Sequence, residues 1–402
     1  MNPLIRFILK LVSRLKINMK KDYKKVRNLQ QAITPDVSDR YTILDHNICS
    51  GEDGHNIPIR VFLPNTPRKP GALLFFHGGG WVIGDIETYT PTCARMADLT
   101  GQIVYSVDYR LAPEHPFPAG LNDCYDACEY IMKHHKKIND AMAGEFTLIG
   151  DSTGANLAAV VSLRLRDRGQ ELTDKQILIY PATYWDHNEA SSPFDSVRIN
   201  GQDYGLTSQK VQDYMELYVP DPESRKSQEV APIMANDLSQ QPKTLVITTE
   251  HDPLRDEGEA YAYALEKAGN EVCLRRILGA PHGFLTYPDV TGAIEESYRI
   301  INRFLYDSKD QSNEADGTKC DTAAGLRSTN KAESTTEAES TTEAESTTEA
   351  ESTTEAESIS DGILNLLKKE PEDRSRVLSL AEKEKLGEFI ALMRDINEKQ
   401  KN

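Results

Sequence analysis

Basic charge is scarce in this 402-residue chain: 46 Lys and Arg stand against 63 Asp and Glu, a net charge of −17. That balance argues against nucleic acid as a partner. Long apolar runs are missing too, with no stretch of 18 apolar residues, so no membrane-spanning helix is expected. Cysteine is sparse. The six cysteines, at positions 49, 93, 124, 128, 273 and 320, include no C-x-x-C pair and follow no secretory leader. The expectation is reduced thiols, several of them in the core, and a cytoplasmic location.

The charge that is present is unevenly spread. Residues 1–27 hold nine Lys or Arg and one Asp. Leu4, Ile5, Phe7, Ile8, Leu11, Val12 and Leu15 fall on one side of a helix there, and Arg6, Lys10 and Arg14 on the other. Such a helix either caps an active site or lies on an anionic membrane surface. The cap is favoured, because a stripe of this kind more often packs on its own protein. At the far end, the hexapeptide A-E-S-T-T-E occurs four times from Ala332, and 332–358 contains nine glutamates and no basic residue. A six-residue period matches no helical stripe and like charges repel, which predicts a disordered spacer. A short helical module closes the chain, with Ser379 and Glu382 as a capping box and Leu386, Phe389, Ile390 and Met393 on one face.

Between these ends, strands and helices alternate. Residues 41–63 read as a hairpin, Ala72–Phe76 as a buried strand, Gln102–Tyr109 as a strand and Leu121–Lys136 as an amphipathic helix. Strands follow at Phe146–Ile149, Ile177–Ala182, Thr244–Thr249 and Glu271–Ile277. Helices are expected at Ala155–Arg166, Ser208–Tyr218, Gly258–Ala268 and about 291–306. This alternation predicts an α/β fold, a mostly parallel sheet with helices on both faces. The expected division is cap helices in 1–40, a catalytic domain in 41–307 with a lid insertion at 183–235, the acidic spacer in 308–358 and the terminal module in 359–402.

The organising stretch is Glu145–Leu157. Gly150, Asp151, Ser152, Thr153 and Gly154 form G-x-S-x-G between a strand and a helix, the setting of a nucleophile elbow. The glycines fit a turn in which a side chain would strike the adjacent strand and helix. Three glycines, 78–80, follow the buried strand 72–76, as a loop needs when its amides must approach a ligand closely. His77, before them, is expected to orient the loop. A serine nucleophile needs a base and an orienting carboxylate, which in this fold follow in the order Ser, Asp/Glu, His on loops after strands. Of the nine histidines only His282, in A-P-H-G-F, follows a late strand. Asp252 leaves the strand 244–249 within three residues. Glu250 is still close to the strand, whereas Asp256 and Glu257 already belong to the next helix and more often cap it.

H-G-G-G-W at 77–81, Y-R-L-A-P-E-H-P-F-P-A at 109–119, G-D-S-T-G-A-N-L-A at 150–158, D-P-L-R-D-E-G at 252–258 and H-G-F at 282–284 resemble the hormone-sensitive-lipase-like esterases, bacterial acetyl esterases included. The resemblance spans roughly residues 40–306. It implies an α/β-hydrolase fold with a helical cap, Ser152 as nucleophile, His282 as base, Asp252 as its orienter, and the amides of Gly78, Gly79 and Thr153 as the oxyanion hole. It also implies hydrolysis of short-chain, acetyl-like carboxylic esters, with no metal and no organic cofactor. Thr153 and Ala155 depart from the usual Ala and Gly. Acyl transfer, amide or carbamate hydrolysis on the same triad, and non-hydrolytic ligand binding, are the alternatives. The expected partner is a small-molecule ester; nucleic acid is not expected, membrane contact through the first helix is the less favoured reading, and a homodimer is left open.

Overall fold

A computed structural model describes residues 17–306 apart from 52–53, 139–143 and 287–291, together with Met1, Arg6, Leu9, Lys10 and Ser13. The apolar stripe of the first helix, the repeats and the terminal helical module lie outside the described residues.

Eight strands form one sheet: β1 (Thr42–Cys49), β2 (Asn56–Leu63), β3 (Ala72–Phe76), β4 (Ile103–Val107), β5 (Phe146–Asp151), β6 (Lys175–Ile179), β7 (Lys243–His251) and β8 (Val272–Pro281). Their spatial order is β1-β2-β4-β3-β5-β6-β7-β8. β1 pairs antiparallel with β2 and β2 with β4, and the other neighbours are parallel. The continuous apolar run of β3 is explained by its place: it lies between β4 and β5 and all five residues are buried. Parallel pairing carries the C-terminal ends of β3, β5, β7 and β8 to one edge, which is where ligands bind in such sheets.

Helices cover both faces and produce two apolar cores. One holds Leu74, Phe76, Leu148, Leu157, Val161 and Tyr261, the other Leu73, Phe75, Ile149, Ile177, Ile301 and Phe304. The alternating inward residues of β3 therefore serve opposite sides of the sheet, as a period of two requires. The helix at Ile86–Thr100 is not among those expected from the sequence. Its threonines and Pro91 weaken the helical pattern, yet it begins with a reciprocal capping box between Asp85 and Thr88 and ends at Gly101 with φ +72°.

The segment between β6 and β7 carries helices at Asp195–Ile199 and Ser208–Tyr218. The N-terminal part of the chain rests on it. Lys20, on the helix Met19–Ile33, pairs with Asp213 and Glu216. Lys10 lies 3.3 Å from Asp203, and the Gly205 amide donates to Ser13 Oγ at 2.8 Å. Arg27 of the same N-terminal helix donates to the carbonyls of Val82, at 2.6 Å, and Ala112, at 2.8 Å, so it links the loop after β3 to the one after β4.

Two expectations need correction. The strand predicted at Ile177–Ala182 runs Lys175–Ile179, because Tyr180 turns out of the sheet at φ +38°. The expectation of reduced thiols holds for Cys49, Cys93, Cys124 and Cys128, which are free, but Cys273 is disulfide-bonded. Among the described residues no helix is long and apolar enough to cross a membrane.

Candidate active site

β5 ends in Gly150 and Asp151, and the helix Thr153–Asp167 begins one residue after Ser152. Ser152 itself sits at φ +55°, ψ −119°, strained for any side chain and typical of functional sites. Both glycines of the pentapeptide are sterically required. A Cβ on Gly150 would lie 2.4 Å from the Gly154 backbone, and one on Gly154 would lie 1.9 Å from the Phe76 carbonyl oxygen. The elbow is thus wedged against the end of β3. Ser152 heads the helix, where its amides favour developing negative charge.

His282 follows β8 and Asp252 follows β7. His282 Nε2 lies 2.9 Å from Ser152 Oγ, and its Nδ1 lies 2.8 Å from Asp252 Oδ2. Asp252 is fully buried; its Oδ1 accepts from the Leu254 amide at 2.8 Å and its Oδ2 from Thr249 Oγ1 at 3.2 Å. These bonds leave Oδ2 aimed at the imidazole and set the tautomer with Nδ1–H toward Asp252 and a lone pair on Nε2 toward the serine. Asn200, on the inserted segment, donates to the carbonyls of Glu250, at 3.1 Å, and Asp252, at 3.2 Å, tying that segment to the acid loop.

The other carboxylates have other partners. Glu250 accepts from the Gly279 amide at 2.6 Å, and Asp256 from the Ser196 amide at 2.7 Å. Glu257 does not cap its helix as expected. It is fully buried and accepts from Thr183 N at 2.7 Å, Tyr184 N at 3.1 Å and His187 Nε2 at 2.9 Å. His251 stacks on Tyr204, with ring centroids 4.5 Å apart.

The glycine loop requires one correction. The Gly78 amide donates to Asp151 Oδ1 at 2.8 Å inside the core, so it is not a free donor. Gly79, Gly80 and Thr153 have no protein acceptor for their amides among the described residues. Gly79 and Gly80 take φ of +121° and +65°. A Cβ on Gly80 would lie 2.3 Å from the Tyr214 ring, which covers the loop from the helix Ser208–Tyr218. His77 is buried, stacks on Tyr109 at 4.3 Å and hydrogen-bonds the Gly78 carbonyl through Nδ1 at 2.8 Å. Burial pushes its pKa down to about 4, so it is a neutral brace for the loop. Trp81 is 2% exposed and stacked on Tyr218 at 4.5 Å, and its amide donates to Thr153 Oγ1 at 3.3 Å. Among the described residues no group of His, Cys, Asp or Glu is placed to hold a metal ion.

Asp151, Tyr180 and the His187–Glu257 pair were not singled out from the sequence. Asp151 left a trace there as the residue inside G-x-S-x-G, and Glu257 only as an expected helix cap.

The fold has counterparts among known proteins. The profile of a family described as alpha/beta hydrolase fold matches residues 73–286. The chain is 35% identical over 237 residues to an arylesterase of Saccharolobus solfataricus, covering 59% of this chain and 75% of that protein. It is 32% identical over 253 residues to an ethyl acetate hydrolase of Pseudomonas putida, covering 62% and 78%. Among solved structures, a hyperthermophilic esterase from Pyrobaculum calidifontis superposes with a TM-score of 0.66 at 35% identity, covering 76% of this chain and 97% of that one.

Proposed function

The chain belongs to the hormone-sensitive-lipase-like α/β hydrolases, and from that premise we propose that it is a carboxylic ester hydrolase acting through an acyl-enzyme on Ser152. The observation that carries the proposal is the unbroken hydrogen-bonded series Ser152–His282–Asp252, at 2.9 and 2.8 Å. His282 takes the Ser152 proton as the hydroxyl attacks the ester carbonyl, and Asp252 holds the ring and balances the imidazolium. The amides of Thr153, Gly79 and Gly80 receive the oxyanion; one such donor is worth about 2.7–4 kcal/mol in other serine hydrolases. His282 then protonates the leaving alcohol, and water repeats the cycle to free the acid.

The proposed substrates are short-chain, acetyl-like esters of small alcohols. Arylesterase and ethyl acetate hydrolase relatives support that class. So does the crowding of the elbow: Ser152 is 8% exposed, with Tyr214 packed on Gly80 above the glycine loop. An added methylene gains only about 0.8 kcal/mol, and only where it fits.

A series of p-nitrophenyl esters tests the reading. Ser152→Ala is expected to abolish turnover with the fold intact, and kcat/KM is expected to peak between acetyl and about hexanoyl. Activity retained in Ser152→Ala would end the assignment, and kcat/KM still rising at palmitoyl would make the protein a lipase. Matched amide substrates, expected to be poor, separate ester hydrolysis from amide chemistry on the same residues.

A further inference from the structure

Asp151 is 2% exposed and, among the described residues, forms no ion pair. Its Oδ1 accepts from the Gly78 amide at 2.8 Å. Its Oδ2 accepts from the hydroxyls of Tyr89, at 3.1 Å, and Tyr180, at 3.2 Å. A buried carboxylate without a cation is unfavourable even when hydrogen-bonded, and a neutral Asn could satisfy the same amide. The charge therefore calls for a reason beyond packing.

Three features place that charge in the site. Asp151 directly precedes Ser152. Gly78, which it holds, opens the glycine loop; a Cβ there would lie 2.8 Å from Asp151 Oδ2, so the contact itself requires glycine. Tyr180, which it also holds, carries a bulky side chain at φ +38°, a conformation kept only when the surroundings over-determine it. The Tyr180 ring faces His282, with centroids 4.7 Å apart and planes tilted by 55°.

We infer that Asp151 is a positioning residue of the proposed hydrolysis: its carboxylate ties the glycine loop, through Gly78, and the back of the His282 ring, through Tyr180, to one buried point beside the nucleophile. The inference rests on Ser152 being that nucleophile. The tie fixes the peptide that precedes the Gly79 and Gly80 amides, and so their aim at the oxyanion. The carboxylate also adds a second buried negative charge, besides Asp252, near the ring that becomes imidazolium in the transition state.

Burial pushes the Asp151 carboxyl up to about 6, against the Gly78 amide, the His282 charge and the two tyrosine hydroxyls. The titratable groups facing it are Tyr89 and Cys93 on the helix Ile86–Thr100, Tyr109 after β4, Tyr180 after β6, Tyr298 on the helix Ala293–Tyr306, and His282. Burial pushes the four phenols and the thiol upward, so none of them ionises between pH 5 and about 8, where the Asp151 carboxyl changes charge. Catalysis then needs the Asp151 carboxylate as well as the lone pair on His282 Nε2 that makes the ring a base. The acid limb of kcat/KM falls more steeply than one proton allows.

The experiment compares full-length Ser152→Ala, Asp151→Asn, Asp151→Ala and Tyr180→Phe with the parent on a short p-nitrophenyl ester across pH 4.5–8.5. Asp151→Asn keeps an acceptor for Gly78 and removes the charge. It is expected to lower kcat about tenfold or more with KM within about twofold, and to reduce the acid limb to a single proton. Asp151→Ala, which also frees the loop, is expected to lose about 10²–10³ in kcat, as for loss of an oxyanion donor. Tyr180→Phe keeps the ring against His282 and removes one tie, so a smaller fall in kcat at unchanged KM is expected; it decides the matter if neither Asp151 variant folds. An inactive Ser152→Ala beside an Asp151→Asn with parental kcat and acid limb would overturn the inference and leave the proposed function standing. If only Tyr180→Phe folds, parental kcat in that variant overturns it equally. An active Ser152→Ala would remove the proposed function itself and the inference with it.

Discussion

His187 and Glu257 form a fully buried pair, Nε2 to Oε2 at 2.9 Å, that joins the segment between β6 and β7 to the helix following Asp252. Glu257 also holds the Thr183 and Tyr184 amides, and the His187 amide donates to Gln212 at 3.3 Å on the helix Ser208–Tyr218. One carboxylate thus anchors the start of the insertion that stands over the glycine loop. Glu257→Ala would strand three buried donors and is expected to destabilise the protein by about 3–5 kcal/mol, with KM raised as the insertion loosens. Glu257→Gln, which keeps an acceptor for the two amides, is expected to lose less. Urea unfolding and ester kinetics on both variants check the ordering.

Gly154→Ala drives a Cβ to 1.9 Å from the Phe76 carbonyl oxygen and 2.6 Å from that of His77. Neither atom can move without breaking the end of β3. The variant is expected either not to fold or to lose both activity and several kcal/mol of stability. Ala155→Gly, one position on and on the buried side of the same helix, is expected to fold and stay active, at a helix-propensity cost of roughly 1 kcal/mol plus any lost packing. Thermal denaturation and turnover of the two variants distinguish steric exclusion from a general intolerance of the helix start.

Between pH 4 and 6.5 two buried groups beside the glycine loop pull stability in opposite directions. Burial holds His77 down to about 4, so its contribution is full above 6.5 and is lost as pH falls through 4. Burial holds Asp151 up to about 6, so the native state keeps its proton longer and stability falls as pH rises from about 4 to 6. Each effect is on the order of 3 kcal/mol. Relative to the parent, His77→Gln is therefore expected to gain stability as pH falls through this window, and Asp151→Asn to gain as pH rises through it. Urea midpoints at pH 4.5 and 7.5 measure both; slopes of the same sign would contradict the assignment.

The N-terminal part of the chain meets the insertion through Lys10–Asp203 at 3.3 Å, Ser13–Gly205 at 2.8 Å and Arg6 over the Tyr204 ring at 5.7 Å. The exposed Lys10–Asp203 pair is worth less than about 1 kcal/mol, so Asp203→Ala is expected to be nearly silent. Deleting residues 1–16 is expected to raise KM or shift chain-length preference, because these contacts to the segment between β6 and β7 go with it. Unchanged kinetics toward every ester, together with lost binding to anionic liposomes, would instead make this segment a membrane-surface helix.

Local chemistry was enough to read much of this protein from its sequence. Ala72–Phe76 is a strand because its apolar run is continuous, and Ser208–Tyr218 is a helix by its spacing. The pentapeptide around Ser152, with its glycines, announces a turn that only those residues can make, and the order Ser152, Asp252, His282 follows from loops placed after strands. Each of these signals lies within a few residues, and side-chain periodicity and turn sterics act over that range. The remaining features depend on which strands become neighbours. β3 beside β5 brings Gly78 to Asp151, 73 positions later, and thereby engages the Gly78 amide. Tyr180, turning at the end of β6, meets His282 after β8, and His187 is buried on Glu257, 70 positions later. Such pairings carry no periodic mark, because a buried polar group finds its partner through space, after the sheet order has been decided by the burial of whole strands.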